Sequence, residues 1–421
     1  MRVAVIGAGI VGVTTAYELQ RAGHEVTVFE RRAAAAAETS FANAGVVAPG
    51  YVTPWAAPGM PSKVLMQWFK ADAAIRLGAP PNLATLRWLW RWWRACNASD
   101  YAKNRRALYE LARTSQTRLN ELSAELHLSY EQTNGFLTLL RGESEWRQVR
   151  PGLSLLADLG VEFKLVDAAH CRIAEPALNA DTELKAGVLL PDAVVGNCRQ
   201  FAQVLKGEAQ RLGADFRFLH RVTRIEAMPP RVTFQASDGD PTAALDAPSG
   251  QPQEAKFDAI VVCAALESRR LLKPLGVRLP LAAVNGYSVT LPVRHHEAHP
   301  DMAPRAALMD ERYKVAITRL GERVRVAGSA ELGGAIDVHS ERALATLYRV
   351  LDDWFPSAVR RSQAQVWKGA RPMLPDEPPR IGASGVPGVW LNIGHGSSGW
   401  ALACGSALRL ATALGASHSA A

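Results

Sequence analysis

Gly7, Ala8, Gly9, Ile10, Val11 and Gly12 lie directly behind an apolar stretch at 3–6, and Glu30 follows Gly12 by 18 residues. Residues of these types at this spacing can hold a pyrophosphate. Gly7 permits a tight turn, Gly9 lets the backbone approach the phosphates, and Gly12 lets the next helix pack closely. A helix expected at 11–22 aims its partially positive N-terminus at the same phosphates. Glu30 ends a second strand, 26–29, where its carboxylate can accept both ribose hydroxyls, with Arg31 beside it. Glycines alone would say little. Strand, turn, helix, strand and terminal carboxylate together read as a dinucleotide site.

Such a site needs a parallel sheet, and the rest of the chain offers one in pieces. The run 259–263 is continuously apolar, as a strand buried on both faces should be. The run 389–393 leads into Gly394, His395, Gly396, Ser397 and Ser398, then into a helix at 399–414. First strand and last helix therefore belong to one domain. The alanine tract 33–37 reads as a loop or short helix near the cofactor. Apolar spacing of three and four predicts helices over 61–76, 83–127, 146–159 (closed by Gly160), 201–212 and 341–355. A turn at 134–135 precedes a strand at 136–140 that opens a second sheet, and another strand follows Gly213 at 216–219. The segment 229–237 reads as a surface hairpin arm and 238–255 as a mobile loop. Short alternating runs at 287–291, 315–318 and 324–327 suit an antiparallel sheet covered on one face. The expected architecture is a doubly wound α/β, Rossmann-like cofactor domain built from 1–60, 192–284 and 366–421. It interleaves with an α+β substrate domain, 61–191 and 285–365, that carries the antiparallel sheet.

Composition narrows the class. A chain of 421 residues with 48% hydrophobic and 21% charged residues can bury a large core in two domains. Net charge +8 and a pI near 9.4 favour anionic partners without choosing among cofactor, acidic substrate and membrane surface. Nucleic acid fits poorly, because no basic block stands out beyond a tryptophan-rich stretch. Five scattered cysteines with no CxxC pair suggest reduced thiols, not zinc or disulfides. Met1 opens directly into the first strand and no apolar run is long enough to span a bilayer. A cytoplasmic protein is expected, with membrane contact at most peripheral.

Several longer stretches carry a resemblance: VIGAGIVGVTTAYEL at 5–19, ETSFANAG at 38–45, PGYVTPWAAPG at 49–59, NGYSVTLP at 285–292, ERYKVAITRL at 311–320, KGARPMLPD at 368–376 and LNIGHGSSGWALACGS at 391–406. Over nearly its whole length the chain resembles the FAD-dependent D-amino-acid oxidoreductases of the glycine oxidase and D-amino-acid oxidase type. Within them it is most similar to the branch of the bacterial D-amino acid dehydrogenase small subunit. The resemblance implies non-covalent FAD. Thr39, Ser40, Asn43, Ala44 and Gly45 would wrap the pyrophosphate, ribityl chain and flavin edge, with Val222 also on the cofactor. Gly394, Gly396, Ser397 and Ser398 would place backbone amides by the flavin's pyrimidine side, where a helix N-terminus stabilises the negative charge of reduction. Arg371 would fork onto the substrate carboxylate. Tyr51, Tyr287, Tyr313, Lys314 and His395 lie in motifs that supply pocket residues. Implied with these is oxidative deamination of D-amino acids to 2-oxo acids and ammonia, with electrons passed to an acceptor other than oxygen, such as membrane quinone. The chain departs from the pattern at Ala265-Leu266, where glycine is frequent, and at Asn285, where the dehydrogenase branch carries lysine. Secondary amines such as proline derivatives or N-methylglycine are alternative substrates on this scaffold. A nicotinamide dehydrogenase would share only the first thirty residues, and a silent flavin-binding subunit is the non-enzymatic alternative.

Two further patterns stand outside that frame. Residues 86–94, LRWLWRWWR, place Leu86, Trp90 and Trp93 on one helical face and Arg87, Arg91 and Arg94 on another. They suit either packing on the second domain or an interfacial helix on anionic lipid. In 295–299, HHEAH, glutamate and the next histidine are one residue closer than in the zinc-protease spacing, so no metal site is expected.

Overall fold

A computed structural model describes residues 1–67, 73–236, 250–295 and 302–419. Its first sheet has six strands in the order Arg380–Ala383, Val389–Ile393, Ala259–Val262, Arg2–Ile6, Glu25–Phe29 and Asp215–Arg217. All neighbours are parallel except the first pair. Side chains alternate across a strand, so Arg2–Ile6 feeds two cores. Val3 and Val5 join a cluster with Val13 and Leu19, Phe201 and Leu205, Leu119, and Leu402 and Leu410. Those residues come from the helices Ile10–Arg21, Cys198–Arg211, Ala98–Glu125 and Gly399–Ser419. Ala4 and Ile6 face the other way, onto Val222, Ile225, Val232 and Phe234. This second face is closed by an antiparallel meander of His220–Ala227, Pro230–Ala236 and Gln253–Lys256, with the short helix Ser268–Leu272. The wound sheet thus has helices on one side and a small sheet on the other.

The large sheet is mixed. Its path runs Gln365–Met373, Ala282–Pro292, Arg323–Leu332, Val315–Leu320, Ala307–Asp310, Thr133–Leu140, Ala186–Val195 and Val46–Val47. Ile75–Leu77 adds to Arg323–Leu332, and Lys164–Asp167 to Ala186–Val195. Helix Glu341–Trp354 covers one face through Leu347, Val350 and Leu351 against Val289, Val324 and Val326.

Several expectations change. Of the helix expected over 61–76, Met60–Gln67 is described; residues 68–72 lie outside the described residues, and Ile75–Leu77 is a strand at the sheet edge. The 83–127 helix breaks at 96–97, where the Asn97 side chain accepts the Asp100 N–H and starts a second helix. The turn at 134–135 is a bulge inside a strand, with Gly135 at φ +100°. Of the loop placed at 238–255, residues 253–256 form the third meander strand; 237–249 lie outside the described residues. Residues 282–284 and 366–373, expected with the cofactor domain, pair within the large sheet. Helix Ala98–Glu125, placed with the substrate half, packs on the cofactor half. There Arg118 forks onto Glu18 at 2.7 and 3.2 Å, both side chains buried.

Candidate active site

The turn after the first strand is made of backbone. Gly7 has φ +101°, and a Cβ there would lie 2.9 Å from the Cys263 carbonyl oxygen. A Cβ on Gly12 would lie 1.8 Å from the Gly7 carbonyl oxygen, so no side chain fits. Ala8 N–H donates to Glu30 Oε2 at 2.7 Å and Arg32 N–H to Oε1 at 2.9 Å, fixing the carboxylate at the strand end. Burial raises the Glu30 pKa despite those two donors. Ile10 N–H donates to Ser40 Oγ at 3.1 Å, which draws the 38–45 loop onto the turn. Arg31 forks onto Glu38 at 2.8 Å on both arms, and Arg32 Nε reaches the same carboxylate at 2.6 Å.

Further along that loop, Thr39 donates to the Ala370 carbonyl at 2.8 Å, tying it to the strand of Arg371. Asn43 Oδ1 accepts the Gly45 N–H at 2.9 Å, and Gly45 sits at φ +78° against Gly196. The Ala44 carbonyl accepts from Thr318, and the Asn43 carbonyl from Arg325 at 3.1 Å.

One continuous cleft runs from Gly7, Gly9, Ile10 and Val11, past Glu30, Arg31, Thr39, Ser40 and Val222, to Gly394, His395 and Gly396. Asn43, Ala44, Gly45, Ser397 and Ser398 are not among the residues that line it. Arg270 donates to the Val222 carbonyl at 2.9 Å and pairs with Glu267; both residues line the cleft and neither was anticipated. Their spacing carries no motif, which is why sequence reasoning missed them. An elongated cleft with a glycine turn and helix start at one end and a glycine-rich loop at the other fits FAD.

His395 lines the cleft, and its imidazole Nε2 is turned to the last helix. That nitrogen lies 2.9 Å from Ser406 Oγ, and Ser406 gives its own proton to the Ala403 carbonyl, so Nε2 carries the hydrogen. Burial pushes the ring down to about 3, which keeps it neutral. His395 holds its loop to the last helix. Ser397 Oγ accepts the Trp55 indole N–H at 3.1 Å.

On the large sheet, Arg371 pairs across with Val284, while Lys368, three residues earlier, pairs with Tyr287. Three residues reverse the face, so Arg371 and Tyr287 point to opposite sides. The Arg371 guanidinium lies over Gly286, where a Cβ would come 2.2 Å from Nη2, and Nη1 donates to the Ser329 carbonyl at 3.0 Å. Burial pushes Arg371 down to about 10, and among the described residues no carboxylate pairs with it. Arg325 is a second buried cation, bonded to Thr290 Oγ1 at 3.0 Å and to the Asn43 carbonyl. Nothing in its sequence neighbourhood singled it out.

Tyr287 is core. Its hydroxyl donates to Glu331 at 2.8 Å, Lys368 Nζ bonds the same carboxylate at 2.8 Å, and its ring packs beneath helix Glu341–Trp354. Tyr313 is likewise removed from Arg371, its ring 5.1 Å from the Arg141 guanidinium and 4.4 Å from that of Arg349. Tyr51 packs edge-on to Phe136 at 5.1 Å, and burial pushes its hydroxyl up to about 12 against the opposing charge of Lys314. Lys314 bonds Glu311 at a φ of +52°, and its carbonyl borders Gly328, next to Ser329. Gly328 faces Leu347, on the Tyr287 side of the sheet, so this contact does not bring Lys314 to Arg371, and Tyr287 and Tyr313 lie away from Arg371 as well. Asn285 is buried, donating to the Gly333 carbonyl at 2.6 Å. Ala265 stands at φ +46° in the cleft wall. His295 pairs with Glu322 at 2.9 Å, while 296–300 lie outside the described residues.

Fold and cleft together define a dinucleotide-dependent enzyme of two interleaved halves. The profile of the FAD dependent oxidoreductase family matches residues 2–413, and the chain belongs to that family. A D-amino acid dehydrogenase of Cereibacter sphaeroides is 42% identical over 410 residues, covering 97% of this chain and 90% of that one. Its counterpart from Rhizorhabdus wittichii is 41% identical over 418 residues, covering 99% and 96%. Among solved structures, glycine oxidase from Bacillus cereus superposes with a TM-score of 0.71 at 19% identity, covering 99% of this chain and 95% of that one. L-proline dehydrogenase from P. horikoshii gives 0.68 at 16%, covering 98% and 92%. The chain is an FAD-dependent oxidoreductase.

Proposed function

We propose that this protein oxidises D-amino acids to 2-oxo acids and ammonia, with FAD as its cofactor. One observation carries the reading: Arg371 is a buried guanidinium with no carboxylate among the described residues, on the strand whose Pro372 lines the cofactor cleft. A buried charge is stabilised by a partner, and a substrate carboxylate supplies one with matching fork geometry. Gly286 and Ser329 hold that fork in place. Bound FAD would supply the acceptor for the Cα hydride. The relatives at 41–42% identity named D-amino acid dehydrogenase support this substrate class.

Tyr51 and Lys314, which the resemblance of their stretches implies for the pocket, are proposed to shape the space for the side chain and amine. Glu30 and the amides of the first turn would hold the ribose and pyrophosphate, and the 38–45 loop would follow the cofactor inward.

Electrons are proposed to leave through an acceptor other than oxygen, a quinone in a membrane. Among the described residues no helix is long and apolar enough to cross a bilayer. Helix Leu83–Ala95 buries Trp88 and Trp92, yet leaves Leu83, Leu86, Trp90 and Trp93 exposed beside the exposed Arg87, Arg91 and Arg94. Leu65 and Met66 on Met60–Gln67 are exposed as well. Indoles at headgroup depth with arginines on anionic lipid fit this surface.

The test is anaerobic reduction of the bound flavin by D-alanine and D-proline against their L-forms, followed by oxygen or a quinone analogue. Bleaching by D-forms alone, with reoxidation by quinone outpacing oxygen, is the expected result. Arg371→Leu should raise KM about a hundredfold with flavin retained. An unchanged KM removes Arg371 from the site.

A further inference from the structure

Glu377 directly follows the 368–376 stretch and stands in no motif of the sequence. It lies in the loop after the strand Gln365–Met373, is only 8% exposed, and has a left-handed φ of +29°. Such a backbone is unfavourable for a residue with a Cβ and marks a position where the side chain has a reason to be. Its Oε2 accepts the Trp55 backbone N–H at 3.0 Å. Its Oε1 would be 3.2 Å from a Cβ on Gly396, which lines the cofactor cleft. The Trp55 indole bonds Ser397. Glu377 is therefore packed directly behind the 394–398 loop, at the end of the cleft opposite the pyrophosphate turn.

We propose that Glu377 holds a proton behind the flavin cradle, so that the reduction potential of the cofactor falls with an additional proton dependence once this carboxyl ionises. The inference rests on the cofactor cleft and is independent of which amine is oxidised.

The surroundings decide the sign. Burial pushes the Glu377 carboxyl up to about 8, the Trp55 N–H acts against this, and the neighbouring Asp376 acts with it. Asp376 is itself paired with Arg380 at 2.6 Å. From the packed loop, His395 is neutral and turned to Ser406. At neutral pH the group behind Gly396 is thus an uncharged carboxyl, and negative charge arriving in the cleft on reduction meets no carboxylate. At higher pH Glu377 ionises in the oxidised protein. Charge delivered by reduction then raises its pKa further, and the carboxylate takes one proton from solvent as two electrons reach the cofactor. Only the O–H bond of the carboxyl forms on the protein.

The experiment is the midpoint potential of the FAD-loaded protein from pH 6 to 10, set with a chemical reductant and a reference dye, so no amine substrate is required. The wild-type protein should steepen above about pH 8 by roughly 30 mV per pH unit, the value for one extra proton in a two-electron couple. Glu377→Gln and Glu377→Ala should retain FAD and lose that extra slope. A purely structural role would shift Tm or flavin retention while leaving the slope in place. An unchanged slope in both variants, or no steepening in the wild type, overturns the proposal. If the variants lose FAD, the wild-type profile alone decides.

Discussion

The two halves of the cleft are built from different materials. At the pyrophosphate end the wall is backbone: Gly7, Gly9 and Gly12 leave room, N–H groups of Ala8 and Ile10 point at fixed acceptors, and side chains only brace the turn. At the large sheet the wall is made of side chains, and the face a residue occupies depends on strand register. A register shift between Asn285 and Tyr287 sits beside Arg371. One residue of slip sends every side chain beyond it to the other face. A backbone site tolerates almost no change at a few positions. A side-chain site tolerates change at most positions and fails at one or two.

The sharpest way to break this contrast is Gly12→Ala. With 1.8 Å between the new Cβ and the Gly7 carbonyl oxygen, the purified protein should carry no flavin, read as the ratio of flavin to protein absorbance. Retained flavin would mean that the turn is not fixed by its glycines.

His395 probes whether an imidazole in the backbone region is a brace or a reactive group. It is neutral and buried in the folded chain, with its pKa depressed to about 3 from an ordinary 6.5. The unfolded chain takes up a proton below about pH 6.5, and the folded one does not until about pH 3. Stability should therefore fall as pH drops through that window, by about 1.4 kcal/mol per pH unit from this residue. His395→Asn should flatten that part of the denaturation profile. A profile identical to that of the wild type would show that the ring titrates freely.

Tyr287→Phe separates the two faces of the large sheet. Loss of the hydroxyl bond to Glu331 should cost about 1–3 kcal/mol in denaturant unfolding while KM stays within about twofold. A large KM change would return Tyr287 to the substrate side. The smallest effect is expected at Ala265, a side chain held at a strained positive φ in the cleft wall. Ala265→Gly should stabilise by about 1 kcal/mol, seen as a modest rise in Tm with flavin bound.

What could be read from the chain follows the same division. The first turn, Glu30 and the helix starting at Ile10 were legible because one short segment contains both the geometry and its reason. Arg371 entered through the resemblance of its stretch, and its burial is visible only in the fold. The opposite faces of Arg371 and Tyr287 were not, because face parity depends on pairings between strands some eighty residues apart. Arg325 and Glu377 acquire meaning only from Asn43, Trp55 and Gly396, which are remote in sequence. The tryptophan helix shows the limit of periodicity: it separated Trp90 and Trp93 from the arginines but did not say that Trp88 and Trp92 would be the buried pair.

The strand order of the first sheet has a consequence for how the protein is made. Arg2–Ile6 is synthesised before its second neighbour, Ala259–Val262, which follows only after residues 7–258 have been made. At about 5–20 residues per second that is a wait of roughly 10–50 s with an apolar strand edge uncovered. The 394–396 end of the cleft arrives later still. FAD can therefore be gripped at both ends only by a nearly finished chain. Cofactor capture becomes a late event of biogenesis, and an interrupted chain keeps that strand edge open.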